Sequence, residues 1–428
     1  MNAASLLIAA FCLAPGAELK IGPADWPQWR GPNRDGVSQE TGLLKEWPEG
    51  GPKKLWTVSG CGGGYSSPAI AGGFIFGSGK VDGKEVIWCR KEADGSQVWA
   101  TPFADAKKVG YDEGVRSTPA IHAGKVIAVG VGGEIVCLDA EKGKILWLKN
   151  FTKDFKGRMM SGWGYSESVL IDGDKVICTP GADAAAVVAL KVADGSTIWK
   201  SAIEKCGGAG YASPVKMTVG GVDMYVTLLG KSGGVVGVDA KTGKLLWRYT
   251  KIMNGTANIP TAVVKDNLVW CSTGYGDGGS ALLKISGGGS GFQAEELKYY
   301  SSKDLQNHHG GMVLVGDYVY FGNRHNNGHP VCVELKSGEI QWKESQGAAG
   351  GSGSGSVVAA DGMLIFRYEN GKVALVKANP KKFEVMGSFK IPEPSGKPSW
   401  QHPVVANGKL YLRDQDKMHC YDIKNPGS

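Results

Sequence analysis

Four of the chain's seven histidines fall within 22 residues, in Asn307-His308-His309-Gly310-Gly311 and Asn323-Arg324-His325-Asn326-Asn327-Gly328-His329. Imidazoles at that density could hold Zn²⁺ or another transition metal if three or four N or O ligands converged, with Asp277 as a neighbouring carboxylate. His308, His309, His325 and His329 are therefore candidate metal ligands. His-His and His-x-x-x-His on loops are a weaker signal than His-Glu-x-x-His on a helix, where the helix fixes how both rings face. The alternative is that Asn/His-rich turns tolerate positive φ and bond locally, with at most one ring entering a central space.

A second set of residues combines aromatic and charged side chains. Gly-Tyr-Asp-Glu-Gly-Val-Arg carries Tyr111, Glu113 and Arg116, and Gly-Trp-Gly-Tyr-Ser-Glu carries Trp163, Tyr165 and Glu167. Tyr65, Tyr211, Asn258, Tyr275, Asp277, Trp400 and His402 stand in comparable loops. Aromatic faces could stack a small planar ligand and Arg116 could hold a carboxylate bidentately. Glu113 or Asp277 could serve as base or Ca²⁺ ligand. The alternative is that these rings plug a channel. No nucleophile elbow, phosphate-binding loop or dinucleotide fingerprint occurs, and Gly350–Ser356 leads into no helix that could cradle a phosphate.

What must position these loops is a repeated strand-turn-strand unit. Val-Cys-Leu-Asp-Ala-Glu-Lys-Gly-Lys-Ile-Leu-Trp (136–147) returns at 236–247, and less strictly around Gly95 and Trp99, Gly195 and Trp199, and Gly338 and Trp342. In every copy Gly precedes Trp by four residues. Glycine supplies the positive φ of the turn, and Asp139 or Asp239 can bond the turn backbone. Worn copies are expected at 282–292, with Gly287, Gly288 and Gly289 at the turn, and at 373–383. The step between tryptophans is 43 to 52 residues from Trp56 to Trp247, the period of a four-stranded propeller blade.

Eight Pro/Ser-led strands precede these units, beginning near 67, 118, 167, 213, 260, 311, 356 and 402. They predict an all-β, eight-bladed β-propeller of four-stranded antiparallel blades. The last blade lacks an outer strand, and Lys54-Leu55-Trp56-Thr57-Val58 has no blade before it, so their pairing should close the ring. The loops entering inner strands and those joining second and third strands then share one face, around the mouth of the channel. That places the aromatic, charged and histidine sets on one wall.

The domain reading is a signal peptide at 1–17, a Trp/Pro/Gly-rich arm at 18–52 and the propeller at 53–428. Residues 3–14 are apolar, too short to span a bilayer, and followed by the small Ala14, Gly16 and Ala17, although the n-region lacks Lys and Arg. Export to the periplasm or medium is expected. Phe11 before Cys12 disfavours lipoprotein anchoring, and no later segment reads as a membrane span. Trp26, Trp29 and Trp47 are expected to pack the arm on the propeller flank. The net charge of +7 on 428 residues is scattered and leaves no nucleic-acid footprint.

Among nine cysteines, Cys89, Cys137, Cys332 and Cys420 fall at one register position, where other units carry Ala189, Gly237 or Ala374. A position that accepts Cys, Ala or Gly is a packing site for small residues, and Cys178 and Cys271 read similarly. Cys61 and Cys206 could pair only if both loops dipped to the axis.

The Leu-Asp-Ala-x-x-Gly-x-x-x-Trp unit resembles the repeat of pyrroloquinoline quinone (PQQ) dehydrogenases, and equally that of BamB, the non-catalytic propeller of outer-membrane protein assembly. The lead-in Asp-Trp-Pro-Gln-Trp-Arg-Gly-Pro-Asn-Arg-Asp-Gly is similar to that of exported PQQ-like proteins of Planctomycetes and their relatives. The resemblance implies a binding or scaffold module of the cell envelope with a protein partner, as a monomer. It implies as the alternative a dehydrogenase holding PQQ and Ca²⁺ in the funnel. The adjacent Cys-Cys pair that quinoprotein alcohol dehydrogenases typically set against their cofactor is absent here.

Overall fold

The computed structural model describes residues 19–111, 113–288, 291–345 and 347–427. The expected signal peptide, Cys12 and Gly289 lie outside these residues. Eight sheets form the ring, and each contains four antiparallel strands in blade order. Blades 1 to 7 span 69–105, 120–150, 170–201, 215–249, 263–301, 312–343 and 355–390. Blade 8 takes three strands from 404–422 and its outer strand from Lys53–Val58, which pairs antiparallel with Lys417–Asp422. The two ends of the propeller thus close on each other, and no blade is left short of a strand.

The repeated turn works between blades as well as within one. The Asp139 carboxylate accepts from the backbone N–H of Glu141 (3.1 Å) and Lys142 (2.8 Å), and Asp239 does the same for Lys241 and Thr242. Gly143, Gly195 and Gly243 hold φ of 67°, 71° and 76°. A Cβ on Gly195 would stand 2.9 Å from the Trp147 ring, and one on Gly243 2.5 Å from Trp199. Each tryptophan therefore lies flat on the turn glycine of the next blade. Its indole N–H reaches the same neighbour: Trp99 donates to Ala140 O at 3.1 Å and Trp147 to Val192 O at 3.0 Å.

The small-residue position has its explanation in the same ring. Cys89, Cys137, Cys332 and Cys420 pair across the ladder with Trp99, Trp147, Trp342 and Trp56, and Ala189 and Gly237 face Trp199 and Trp247. The indole covers that site, and only a small side chain fits beneath it. The eight described cysteines, Cys61 and Cys206 among them, are free and buried. In blade 5 the hairpin is longer than expected: Gly279–Gly288 pairs with Gly291–Ser301, so Tyr299, and not Phe292, faces Ala281. In blade 7 Ser388 faces Ala374, and Phe383 instead packs on Trp342 at 5.5 Å.

The arm departs from the flank it was expected to cover. Trp47 does pack there, 5.3 Å from Phe389, but Trp26 bridges Ile70 of the first inner strand and Trp29 bonds the Thr261 hydroxyl. Arg34 donates to Ser168 O and Val169 O at 2.8 Å and to Pro214 O at 2.9 Å. Arg30 donates to Met312 O, and Val37–Ser38 runs parallel to Gly355–Ala360 as a fifth strand on blade 7. The physical cause is the ring itself. Inner strands have no partner on the axial side, so their backbone groups need donors and acceptors from elsewhere. A guanidinium, with five N–H donors and no acceptor, suits converging carbonyls.

Candidate functional site

At the mouth of the channel the loops enclose a cup of about 390 Å³. Loops entering blades 1 to 4 bring Tyr65, Tyr111 and Arg116, Trp163 and Tyr211 to it. Loops entering blades 6 and 8 bring His308, His309, Trp400 and His402, and the second-to-third-strand loops of blades 5 and 6 bring Tyr275 and His325. Eleven sequence-selected side chains from seven blades thus share one wall.

The wall is held by ring stacking. His309 lies on Trp400 with centroids 4.1 Å apart and an 18° tilt, and Tyr65 approaches Trp400 at 4.7 Å. Tyr111 meets Trp400 edge-on at 4.9 Å. Arg116 sits 5.4 Å over Tyr65 and donates to the carbonyls of Gly110, Tyr111 and Gly114 at 2.6–2.9 Å. Tyr65 donates its hydroxyl to Glu113. Tyr211 shares a 2.7 Å hydrogen bond with Ser161.

The histidine rings cluster, tilted or edge-on to one another. His308 lies 3.6 Å from His309 and 4.1 Å from His325, centroid to centroid. His308 Nε2 meets the Tyr275 hydroxyl at 3.1 Å, Ser354 Oγ stands 3.4 Å from Nδ1 of both His308 and His309, and His402 Nε2 meets His309 O at 3.1 Å. Burial drives His308 and His402 down to about 3 and His309 well below its ordinary value, with neighbouring positive charge adding to the effect. These rings are neutral near pH 7. Among the described residues, no group of three or more His, Cys, Asp or Glu side chains is arranged to hold a metal ion.

Several selected residues stand outside the cup. Tyr165 is buried between blades, with its ring 5.1 Å from Phe151 and its hydroxyl on Pro180 O. Asn258 is fully buried and staples its loop, donating to Leu229 O at 2.9 Å and accepting from Asn254 N at 3.1 Å. Glu113 lies behind Tyr65, 3.6 Å from Lys397, and Asp277 accepts from Lys231 Nζ (2.9 Å) and Gly255 N (3.0 Å). Glu167 is buried under the arm, accepts from Thr179 N, and is pushed up to about 7 by burial. His329 pairs with Asn323 in the blade 6 ladder and does not line the cup.

Of the lining residues that escaped the sequence reading, three carry aromatic or charged side chains. Trp29 and Arg30 form the floor, where Trp29 meets His402 at 4.5 Å. Nothing in the arm's local pattern indicates that it enters the channel. Glu369 accepts from the Trp400 indole N–H, and its place after the second strand of blade 7 matches that of Tyr275 and His325. Applying the same topological rule to Tyr368-Glu369-Asn370-Gly371 would have found it.

Ring, staples and mouth cup together define a PQQ-like repeat propeller. A family model described as outer membrane protein assembly factor BamB matches residues 83–344, more than half of the chain, and the chain belongs to that family. BamB of Shewanella oneidensis is 25% identical over 244 residues, which cover 53% of this chain and 56% of that protein, so the chain spans about half the length of the curated relative it matches. BamB of Moraxella catarrhalis superposes with a TM-score of 0.59 at 15% identity, over 87% of this chain and all of that one. Quinohemoprotein alcohol dehydrogenase of Comamonas testosteroni superposes at 0.67 with 12% identity, over 94% and 81%. At these identities the two structures speak for the fold.

The donor set does not fit a calcium-bound quinone. Calcium takes about six to eight oxygen ligands, several from carboxylates. Among the described residues that line the cup, Glu369 is the one carboxylate, and its Oε1 accepts from the Trp400 indole. Glu113 and Asp277 are held by Tyr65, Lys397, Lys231 and a backbone amide outside the lining.

Proposed function

We propose that this chain is a non-catalytic binding propeller of the cell envelope, exported without a lipid anchor and monomeric, which presents its cup to a protein partner. The observation that carries this reading is the placement of the carboxylates. Oxidation of an alcohol by hydride transfer needs a base to take the hydroxyl proton and a cation to polarise the acceptor. The candidates Glu113 and Asp277 are not among the lining residues and are engaged by Tyr65, Lys397, Lys231 and Gly255 N. The cup's histidines are tied to Tyr275, Ser354 and the His309 carbonyl. What remains is aromatic surface with a few fixed donors, the composition of a recognition site. Membership in the assembly-factor family supports a protein as the partner.

Purified chain titrated with PQQ and Ca²⁺ should give no saturable absorbance change, no rise in Tm and no dye-coupled alcohol oxidation. A photo-crosslinking residue in place of Tyr111 should give a discrete adduct with one envelope protein in cells, and the same residue at Lys144, exposed in the turn between the third and fourth strands of blade 2, should not. Dye reduction with PQQ and Ca²⁺ would replace this reading with the dehydrogenase.

A further inference from the structure

Two residues before the inner strands of blades 8, 1, 2, 3, 4 and 5 stand His402, Ser67, Thr118, Ser168, Ser213 and Thr261, all buried. Four hydrogen bonds join the first five of them from blade to blade. The backbone N–H of His402 donates to Ser67 Oγ at 2.9 Å, and that of Ser67 to Thr118 Oγ1 at 3.2 Å. The N–H of Thr118 donates to Ser168 Oγ and that of Ser168 to Ser213 Oγ, both at 2.9 Å. Proline follows His402, Ser67 and Thr118 and carries no N–H, which leaves this one donor at the entrance for the neighbouring hydroxyl to satisfy.

The belt stops at Ser213, and among the described residues blades 4 to 7 form no link of this kind. Two residues before their inner strands blades 6 and 7 carry Gly310 and Gly353, which offer no hydroxyl. The arm fills the interval. Trp29 donates its indole N–H to Thr261 Oγ1 of blade 5 at 3.3 Å, Arg30 donates to Met312 O of blade 6, and Gly36 O accepts from Ala359 N of blade 7 at 2.8 Å. A Cβ on Gly311 would stand 2.7 Å from Arg30 Nη1, so glycine at the entrance of blade 6 is what admits the guanidinium. Blades 6 and 7 share one backbone bond here, Val357 N to Gly310 O at 3.1 Å. Arg34 moors the same arm on the belted blades 3 and 4.

We propose that the arm is a strap that holds the entrances of blades 5 to 7, and that the part of the cup built on those blades keeps its shape only while the strap is seated. That part carries Tyr275, His308, His325 and Glu369, whereas Tyr65, Trp163 and Trp400 stand on belted blades. One half of the wall is therefore self-supporting, and the other follows the arm. The inference concerns the wall itself and holds whatever the cup binds.

The test is amide hydrogen exchange, read by mass spectrometry on the full chain near neutral pH. Arg30→Ala removes the bond to Met312 O and should speed exchange about tenfold or more across 306–315 and 355–360. Trp29→Phe loses the bond to Thr261 but keeps a ring beside His402, and should do the same at 259–265. In both variants 67–71, 118–122 and 168–172 should stay within about twofold of wild type. Thr118→Val leaves the Ser67 N–H without its acceptor at nearly constant shape. It should give the reverse pattern, faster at 67–71 and 118–122 and unchanged at 259–265 and 306–315. Exchange that rises evenly round the ring in any of the three, or stays at the wild-type rate in both arm variants, would overturn the proposal. Should Arg30→Ala fail to fold, Trp29→Phe decides alone: exchange at 259–265 that quickens no more than at 67–71 sinks the strap.

Discussion

The floor of the cup and its wall meet the same problem and solve it differently. At the floor, the chain entering the inner strands of blades 3, 4 and 6 presents carbonyls, and Arg34 and Arg30 of the arm satisfy them from within the chain. At the mouth, loops from seven blades carry rings that pack on one another, and their one wall guanidinium bonds its own loop. The first is a buried polar lock, where each donor removed leaves orphaned carbonyls. The second is a surface of packed rings, partly open to solvent. Stability should concentrate at the floor and recognition at the mouth.

Arg34→Ala should be the largest break. Three buried carbonyls lose charge-assisted donors at once, for an expected cost of about 3–5 kcal/mol. Arg116→Ala should cost less than about 1 kcal/mol, because its acceptors sit on a partly exposed loop. Urea unfolding of both variants checks the contrast, and equal losses would erase the distinction between lock and surface. Between these two lies Gly195→Ala, expected to cost about 2 kcal/mol from left-handed strain and the clash with Trp147. Thermal unfolding would read it.

The histidine cluster sharpens the comparison through pH. His308 titrates near 3 when folded because burial disfavours its charge, and near 6.5 when unfolded. Below pH 6.5 the unfolded chain binds the proton that the folded chain refuses, so this contribution is lost as pH falls toward 3. Its slope is at most about 1.4 kcal/mol per pH unit. Glu85 and Glu167, pushed up to about 7 by burial, act with opposite sign: their folded forms keep a proton that the unfolded chain releases above 4.5. The test is therefore the difference between wild type and His308→Asn in urea melts at pH 7 and pH 5, where the variant should lose less stability on acidification. A variant as acid-sensitive as wild type would mean that His308 is not held neutral. The smallest expected effect is on metal content. His308→Ala and His325→Ala should leave it unchanged by elemental analysis, and a fall in both would revive a metal site.

The eight blades, the closing strand and the wall of the cup were legible in the chain because each rests on a short-range rule. A turn needs glycine four residues before its tryptophan, a strand needs alternation, and one blade cannot bury its own faces, so repetition implies the ring. Tyr65, Arg116, Trp163, Trp400 and His308 followed from knowing which loops share a face. Sequence could not separate Trp163 from Tyr165, two positions apart, since only packing sends one ring to the cup and the other onto Phe151. It could not pair Glu113 and Asp277 with the lysines 284 and 46 positions away that hold them. Nor could it place Trp29, Arg30 and Arg34 in the channel. The donors they supply answer carbonyls that become unpaired only once inner strands from separate blades stand around one axis, a demand that exists in the closed ring and in no local stretch of the chain.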